Sequence, residues 1–442
     1  MDRRTFARVS GTAMAGMALP SALRGAIPAG SRDLRIDARR LNARMDELAG
    51  FGANAAGGID RVAFSDADVE ARAWVSDLMR GCDLDVSVDV AGNLWGARAG
   101  SESGLPPLVL GSHIDSVPGG GNYDGQVGSM GAVEVAWTLA DNDVRNRHPI
   151  HFVVFPNEEG GKTGSRALAG EVLPREMDIV TASGFTIGEG LRRIGGDPDR
   201  LSEAVRRPGS IAAFLELHVE QGAILDAQGI DIGVVEGIVG IMRWNVVVDG
   251  MTNHAGTTPM KDRRDAMVAG ARFVDMVYTT VSGWPGTQVA TVGRLSAEPG
   301  APNVIPGRVT LSLEIRDLSM EKIEEVFRQL SSRAEVLGQQ TGTTFSFERF
   351  YTSRAAPTAP AIRDVVERSA HGMGLSTLSM PSGAGHDAQS MAHLGPIGMI
   401  FVPSAGGISH APEEFTEPGD IANGANVLLR TLLALDAGAV VP

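Results

Sequence analysis

PLVLGSHIDSVPGGGNYDGQVGSMGAVEVAWTLADN, residues 107–142, decides how the rest of the chain is read. A short apolar run, Pro107–Leu110, gives way to a glycine-rich polar loop, and the stretch closes on the helix-like AVEVAWTLADN. The loop carries His113, Asp115 and Asp124 on a frame too rich in glycine for a stable helix or strand interior. Strand, polar loop, helix is the repeating unit of an α/β sheet. The unit recurs. IHFVVF (150–155) leads to Glu158 and Glu159, IAAFLEL (211–217) to His218, and IGMIFV (397–402) to His410. Ligands of such sheets collect beyond the carboxyl ends of the strands, where all these polar residues fall.

Around this core the pattern divides the chain. Residues 35–240 open with helix-like LRIDARRLNARMDELAGF and VEARAWVSDLMRGC and strand-like DVSVDV and NLWGAR. Residues 241–352 change character: strand MRWNVVVDG, helix DAMVAGARFVDMVYTTV, strands TQVATVGRLS and RVTLSLEIRD, helix MEKIEEVFRQLSSRAEVLGQQ, strand TTFSFERFY. The order β-α-β-β-α-β is that of a split βαβ, ferredoxin-like module inserted between two halves of the first domain. Residues 353–442 return to the α/β pattern and end in DIANGANVLLRTLLALDA. The expected fold is therefore α/β: a mixed, mostly parallel sheet flanked by helices, plus an inserted α+β domain.

Composition sets further bounds. At 442 residues and 43% hydrophobic content the chain can form two domains or three with cores of normal size. A net charge of −14 argues against nucleic acid or an anionic membrane as the main partner. The single cysteine, Cys82, rules out an intramolecular disulfide and a four-cysteine zinc site, so any metal must be held by His, Asp and Glu. Residues 1–34 begin MDRRTFARVSGTAMAGMALPSALRGA. Arg3-Arg4 before a mildly apolar run too weak to span a membrane resembles a twin-arginine export signal, a route for folded proteins. The expectation is export to the periplasm; with a chance arginine pair on a disordered leader, the protein would be cytoplasmic. No later stretch is long and apolar enough for a transmembrane helix.

His113, Asp115, Asp124, Glu158, Glu159, His218 and His410 form one candidate set. Histidines and carboxylates suit zinc or manganese. Shared out, His113 and His218 hold one ion, Glu159 and His410 a second, and Asp124 bridges them. Two ions so bridged can clamp a water and polarise a carbonyl. Asp115, two residues after His113, can accept a hydrogen bond from the other ring nitrogen. Of two adjacent glutamates, one can bind metal while the other serves as general base.

The sequence resembles the hydantoinase/carbamoylase family of metal-dependent amidohydrolases, in the aminoacylase and carboxypeptidase G2-like clan. The matching motifs are GSHIDSVPGGGNYDG, NEEG, ELHVEQG, NHAGTTPM, PNVIPG, LEIRD, PSGAGHDAQ and PSAGGISHAP, in family order from about residue 110 to 412. The resemblance implies two divalent ions, zinc, manganese or cobalt. It assigns His113, Asp124 and His218 to one, Asp124, Glu159 and His410 to the other, and makes Glu158 the general base. It makes the inserted domain a lid and dimerisation surface, with His254 stabilising an oxyanion, reaching across from a partner subunit. Arg316 would fork onto a substrate carboxylate, with Gln221, Asn303 and the Gly385 backbone completing the contacts; taken alone, Arg316 could equally pair with Glu314 or Asp317. His386 and Asp387 lie near the site without an assigned role.

Two departures stand out. Relatives often continue from the glutamates into Ser-Arg-Phe, whereas this chain reads GGKTGSRALAG, and many relatives lack an export signal. The implied reaction is hydrolysis of an N-carbamoyl amino acid, the L enantiomer, to amino acid, CO2 and NH3. Allantoate, ureidoglycolate, β-ureidopropionate or an N-acyl amino acid or dipeptide would suit the same site. A non-catalytic protein of this fold is argued against by the intact ligand set and Glu158. A dinucleotide binder is argued against because no G-x-G-x-x-G follows the first strand.

Overall fold

The computed structural model describes residues 34–439. The Arg3-Arg4 pair and the export signal expected from it lie outside the described residues. Among the described residues no helix is long and apolar enough to cross a membrane.

A nine-stranded sheet carries the catalytic half of the molecule. Its strands run in the order Asp85–Val88, Leu94–Arg98, Ile150–Phe155, Leu108–His113, Ala213–Val219, Ile397–Val402, Ile232–Ile238, Ala356–Pro357, with Thr377–Ser382 also on Ile232–Ile238. The four strands from Ile150–Phe155 to Ile397–Val402 are parallel. The pairs flanking them are antiparallel, apart from the parallel Thr377–Ser382. The sheet is mixed, as expected, with its parallel portion at the centre. Buried central strands explain the unbroken apolar runs, since both faces are covered. Side chains alternate between two cores: Leu108, Leu110, Phe152 and Leu215 face the helices Gln126–Asp141 and Pro418–Asp436. Val109, Val153, Phe155 and Phe214 face Thr163–Ala169 and Asp387–Met391.

Parallel register places the strand ends side by side. His113 lies opposite Phe155, and His218 opposite Phe401. The loops that follow, bearing Asp124, Glu158, Glu159, Gln221 and His410, therefore leave from one edge of the sheet.

Between Gly240 and Ser353 the chain forms a separate four-stranded antiparallel sheet, ordered Thr344–Ser353, Gly240–Asp249, Arg308–Asp317, Val289–Glu298. Helices Ala266–Ser282 and Met320–Thr341 cover one face, sharing a core in which Trp244 stacks on Phe327 at 4.3 Å. The element order and strand arrangement are those of the split βαβ module. A two-stranded tip, Asn253–His254 on Val304–Ile305, belongs to neither large sheet.

Candidate active site

The strand-end residues converge. Donor atoms of His113, Asp124 and His218 lie within 4.8 Å of one another, and so do those of Asp124, Glu159 and His410. Asp124 belongs to both groups through different oxygens. Its Oδ1 lies 3.2 Å from His218 Nε2 and 3.8 Å from His113 Nε2, while its Oδ2 lies 3.1 Å from His410 Nε2. Glu159 Oε1 lies 3.5 Å from His410 Nε2. His113 Nδ1 faces the Asp115 carbonyl at 3.1 Å and His218 Nδ1 the Val219 carbonyl at 2.9 Å. Each Nδ1 thus carries a hydrogen, and each Nε2 points inward as a potential ligand.

These residues fit divalent cations. His218 Nε2 and Glu159 Oε1 are buried yet have no hydrogen-bond partner. Burial pushes the Glu158 carboxyl up to about 8, against the pull of the Lys162 ammonium, and the Glu159 carboxyl up to about 11 beside Asp124 and Glu158. The Asp124 carboxyl is by contrast held low by the His218 and His410 imidazoles, and the two glutamates ionise alongside it only when a cation is supplied.

The surrounding loops are held in unusual conformations. Asn157, Lys162, Gln221 and His410 all have positive φ without being glycine, clustering strain around the site. Gly125 shows why the Asp124 loop needs glycine. At φ +83° a Cβ there would lie 2.2 Å from His113 Nε2. Gly125→Ala is therefore expected to displace the His113 ring and deplete bound metal along with activity. Elemental analysis of the purified variant checks this, and a full complement of metal with normal turnover would contradict it.

Several residues sit differently from expectation. The Asp115 carboxylate does not take the His113 ring hydrogen, which goes to its backbone carbonyl. Its oxygens instead accept from the backbone N–H groups of Glu158 and Glu159, each at 3.2 Å, and so fix the turn that presents both glutamates. Gln221, expected among the substrate contacts, donates to Asp124 Oδ2 at 2.5 Å. Arg316 Nε meets Glu314 at 2.7 Å and its Nη1 the Gly383 carbonyl at 2.6 Å. Gly385 lies against Lys162, whose Nζ would be 3.1 Å from a Cβ at that position. His254 and Asn303 are exposed at the two-stranded tip, where the Asn303 carbonyl accepts from Ala255 N–H, and among the described residues no hydrogen bond or ion pair ties them to the cluster.

Two positioning groups escaped the sequence reading. Glu414, buried, accepts from the backbone N–H of Tyr123 and Asp124, each at 3.0 Å, and from Ser409 Oγ and His410 N–H at 3.0 and 3.1 Å. One carboxylate thereby orients Asp124 and His410. Its signal was an acid four residues past His410. Arg61, fully buried, donates to the carbonyls of Ile114, Leu48 and Phe51 and to Asn122 Oδ1, gripping the loop at both ends. His386 packs its ring 4.4 Å from that of His218 and meets Ser382 Oγ, while Asp387 accepts from Ser165.

A mixed α/β sheet with buried histidines and carboxylates gathered beyond its parallel strands, and a glutamate beside them, defines a metal-dependent hydrolase. The model of the family described as peptidase family M20/M25/M40 matches residues 109–434, and the chain belongs to that family. It is 38% identical over 408 residues, 91% of this chain and 100% of the relative, to a Geobacillus stearothermophilus protein named N-carbamoyl-L-amino acid amidohydrolase. It is 34% identical over 417 residues, 91% of this chain and 87% of the relative, to an Arabidopsis thaliana protein named ureidoglycolate hydrolase. Among solved structures, a hydantoinase/carbamoylase family amidase from Burkholderia multivorans matches with a TM-score of 0.83 at 34% identity, covering 91% of this chain and 98% of that one.

Proposed function

We propose that the chain hydrolyses the carbamoyl group of N-carbamoyl-L-amino acids, releasing amino acid, carbon dioxide and ammonia. The observation that carries this reading is Asp124, whose two oxygens each face a separate set of donors. His113 and His218 would hold one divalent ion, zinc, manganese or cobalt, and Glu159 and His410 the other. Bound there, the ions would polarise the ureido carbonyl and acidify the attacking water. Glu158 Oε2, 3.8 Å from His113 Nε2, lies beside the cluster without belonging to either donor set. It takes the proton of the attacking water and delivers it to the leaving nitrogen. Burial raises the Glu158 carboxyl, a direction that suits a group that must hold a proton and pass it on.

The exposed tip bearing His254 and Asn303 supports a homodimer in which a second copy completes the site. There His254 donates to the developing oxyanion, a role that needs a preorganised donor. Arg316 remains the cation for the substrate's α-carboxylate, in exchange for part of its contact with Glu314. The relative named ureidoglycolate hydrolase supports a second reading, with the same chemistry on allantoate, ureidoglycolate or β-ureidopropionate.

Chelated protein is expected to release no ammonia from any ureido acid, and manganese, zinc or cobalt to restore release. The screen should set N-carbamoyl-L- and D-amino acids beside allantoate, ureidoglycolate and β-ureidopropionate, with N-acetyl amino acids followed by amine release. Cleavage of N-acetyl substrates alone, or full activity without metal, would overturn the reading.

A further inference from the structure

The GGKTG departure builds something the proposed reaction has not used. Lys162 stands in a left-handed conformation at the start of the helix Thr163–Ala169, with Nζ on Gln389 Oε1 at 2.5 Å. Gln389 is fixed in turn by Ser353 Oγ and the Arg354 carbonyl. The ammonium is partly buried and makes no ion pair among the described residues, although its charge reaches Glu158 and His386. A partly buried ammonium hydrogen-bonded only to a neutral amide gains a stronger, charge-assisted partner when an anion binds.

Lys162 also lines a cavity of about 840 Å³. One wall is Gly160–Gly161, directly after the two glutamates, and the other is Tyr351–Pro357, where the chain leaves the smaller sheet. Arg166 pairs with Glu176 at 2.7 Å, and His393 lies 3.1 Å from Glu171. Arg354, exposed on the second wall, makes no ion pair among the described residues. Lys162 and Arg354 are the cavity's two cations outside an ion pair, and with Glu171 facing only the His393 imidazole and Ser390 Oγ the lining keeps a net positive charge. Arg316 stands on the other side of Gly383–Gly385, sharing the Glu314 carboxylate with Arg243.

Resting on the proposed ureido hydrolysis, we infer that Lys162, assisted by Arg354, makes this cavity a pocket for an acidic substrate side chain. The preferred substrates are then N-carbamoyl derivatives of dicarboxylic amino acids. Arg316 takes the α-carboxylate, and Lys162 exchanges Gln389 for the side-chain carboxylate. Isosteric neutral side chains leave the ammonium without its anion and are selected against.

The test compares kcat/KM for N-carbamoyl-L-glutamate with that for N-carbamoyl-L-glutamine, and likewise for aspartate and asparagine, on manganese-loaded enzyme. Wild-type ratios are expected to favour the acids by at least about tenfold, the scale of one charge-assisted hydrogen bond. Lys162→Met should bring the ratios close to one, and Lys162→Glu should invert them. Arg354→Met, at an exposed position, should lower the ratios severalfold and keeps the test open if the Lys162 variants do not fold. A wild-type ratio at or below one overturns the inference. So does a Lys162→Met enzyme that slows on both substrates equally, the mark of a lysine that merely holds Gln389. If no ureido acid releases ammonia, the proposed function itself fails. Ammonia from N-carbamoyl-L-alanine together with indifferent acid-to-amide ratios defeats only the pocket.

Discussion

Glu158→Gln is expected to keep its metal and lose roughly 10²–10⁴-fold in kcat, the usual contribution of a general acid–base group. The substitution changes little else. The Glu158 backbone N–H, which holds the turn against Asp115, is unaffected. The metal donor groups contain Glu159, not Glu158, so elemental analysis should return the wild-type metal content. The amide cannot accept the water proton, and KM should move little because the group acts on the proton rather than on ground-state binding. Glu159→Gln should fail differently, by losing metal from the group it shares with Asp124 and His410. Near-normal turnover in Glu158→Gln would remove it from the mechanism. The same variant locates His254. Verified heterodimers of Glu158→Gln and His254→Ala subunits should regain activity if the histidine serves the partner's site, and no recovery would place its action within one chain.

The ligand positions were legible because each follows a buried strand, and the end of an apolar run marks where the sheet's edge begins. His113 and His218 needed only that rule, whereas the choice between Glu158 and Glu159 came from the family resemblance. Asp124 and His410 sit at the far ends of loops, and there the pattern of glycines and prolines showed a loop without showing its path. What closes those loops is long-range. Glu414 ties residues 123–124 to 409–410, and Arg61 ties the loop to the end of the helix Ala38–Ala49. Neither contact leaves a local periodicity. Asp115 illustrates the same limit on a smaller scale. Its spacing from His113 placed it correctly beside the ring, but which of its oxygens meets the imidazole depends on where residues 158–159 approach. Lys162 was visible only as an odd loop. Its meaning depends on Gln389 and on Ser353–Arg354, where the chain leaves the smaller sheet, far along the chain.

Asp124→Asn should abolish activity in a way that added metal does not rescue, and should leave the protein's stability nearly insensitive to added metal. The carboxylate is buried among His113, His218, His410 and Glu159, with the Glu414 carboxylate on its backbone N–H. Against its burial, the imidazoles of His218 and His410 hold the Asp124 carboxyl well below the usual carboxylate range, and a neutral replacement loses that attraction along with the charge a cation needs. The orientation of the new amide follows from its neighbours. Gln221 Nε2 and Ser409 Oγ donate to the Oδ2 position at 2.5 and 3.0 Å, so the amide oxygen belongs there. The amide nitrogen then occupies the Oδ1 position, 3.2 Å from His218 Nε2, and donates to it. The ring nitrogen that awaited a cation gains a hydrogen bond instead, and the His113–His218 set loses its anionic member. The other set keeps an oxygen but loses a charge. Ligand-linked stability separates this outcome from simple damage, because a cation that binds the native state raises the melting temperature. Wild-type protein should melt markedly higher with manganese than without. The variant should melt at nearly the same temperature with and without it. A variant that binds two equivalents of metal and turns over normally would show that Asp124 does not join the two sets.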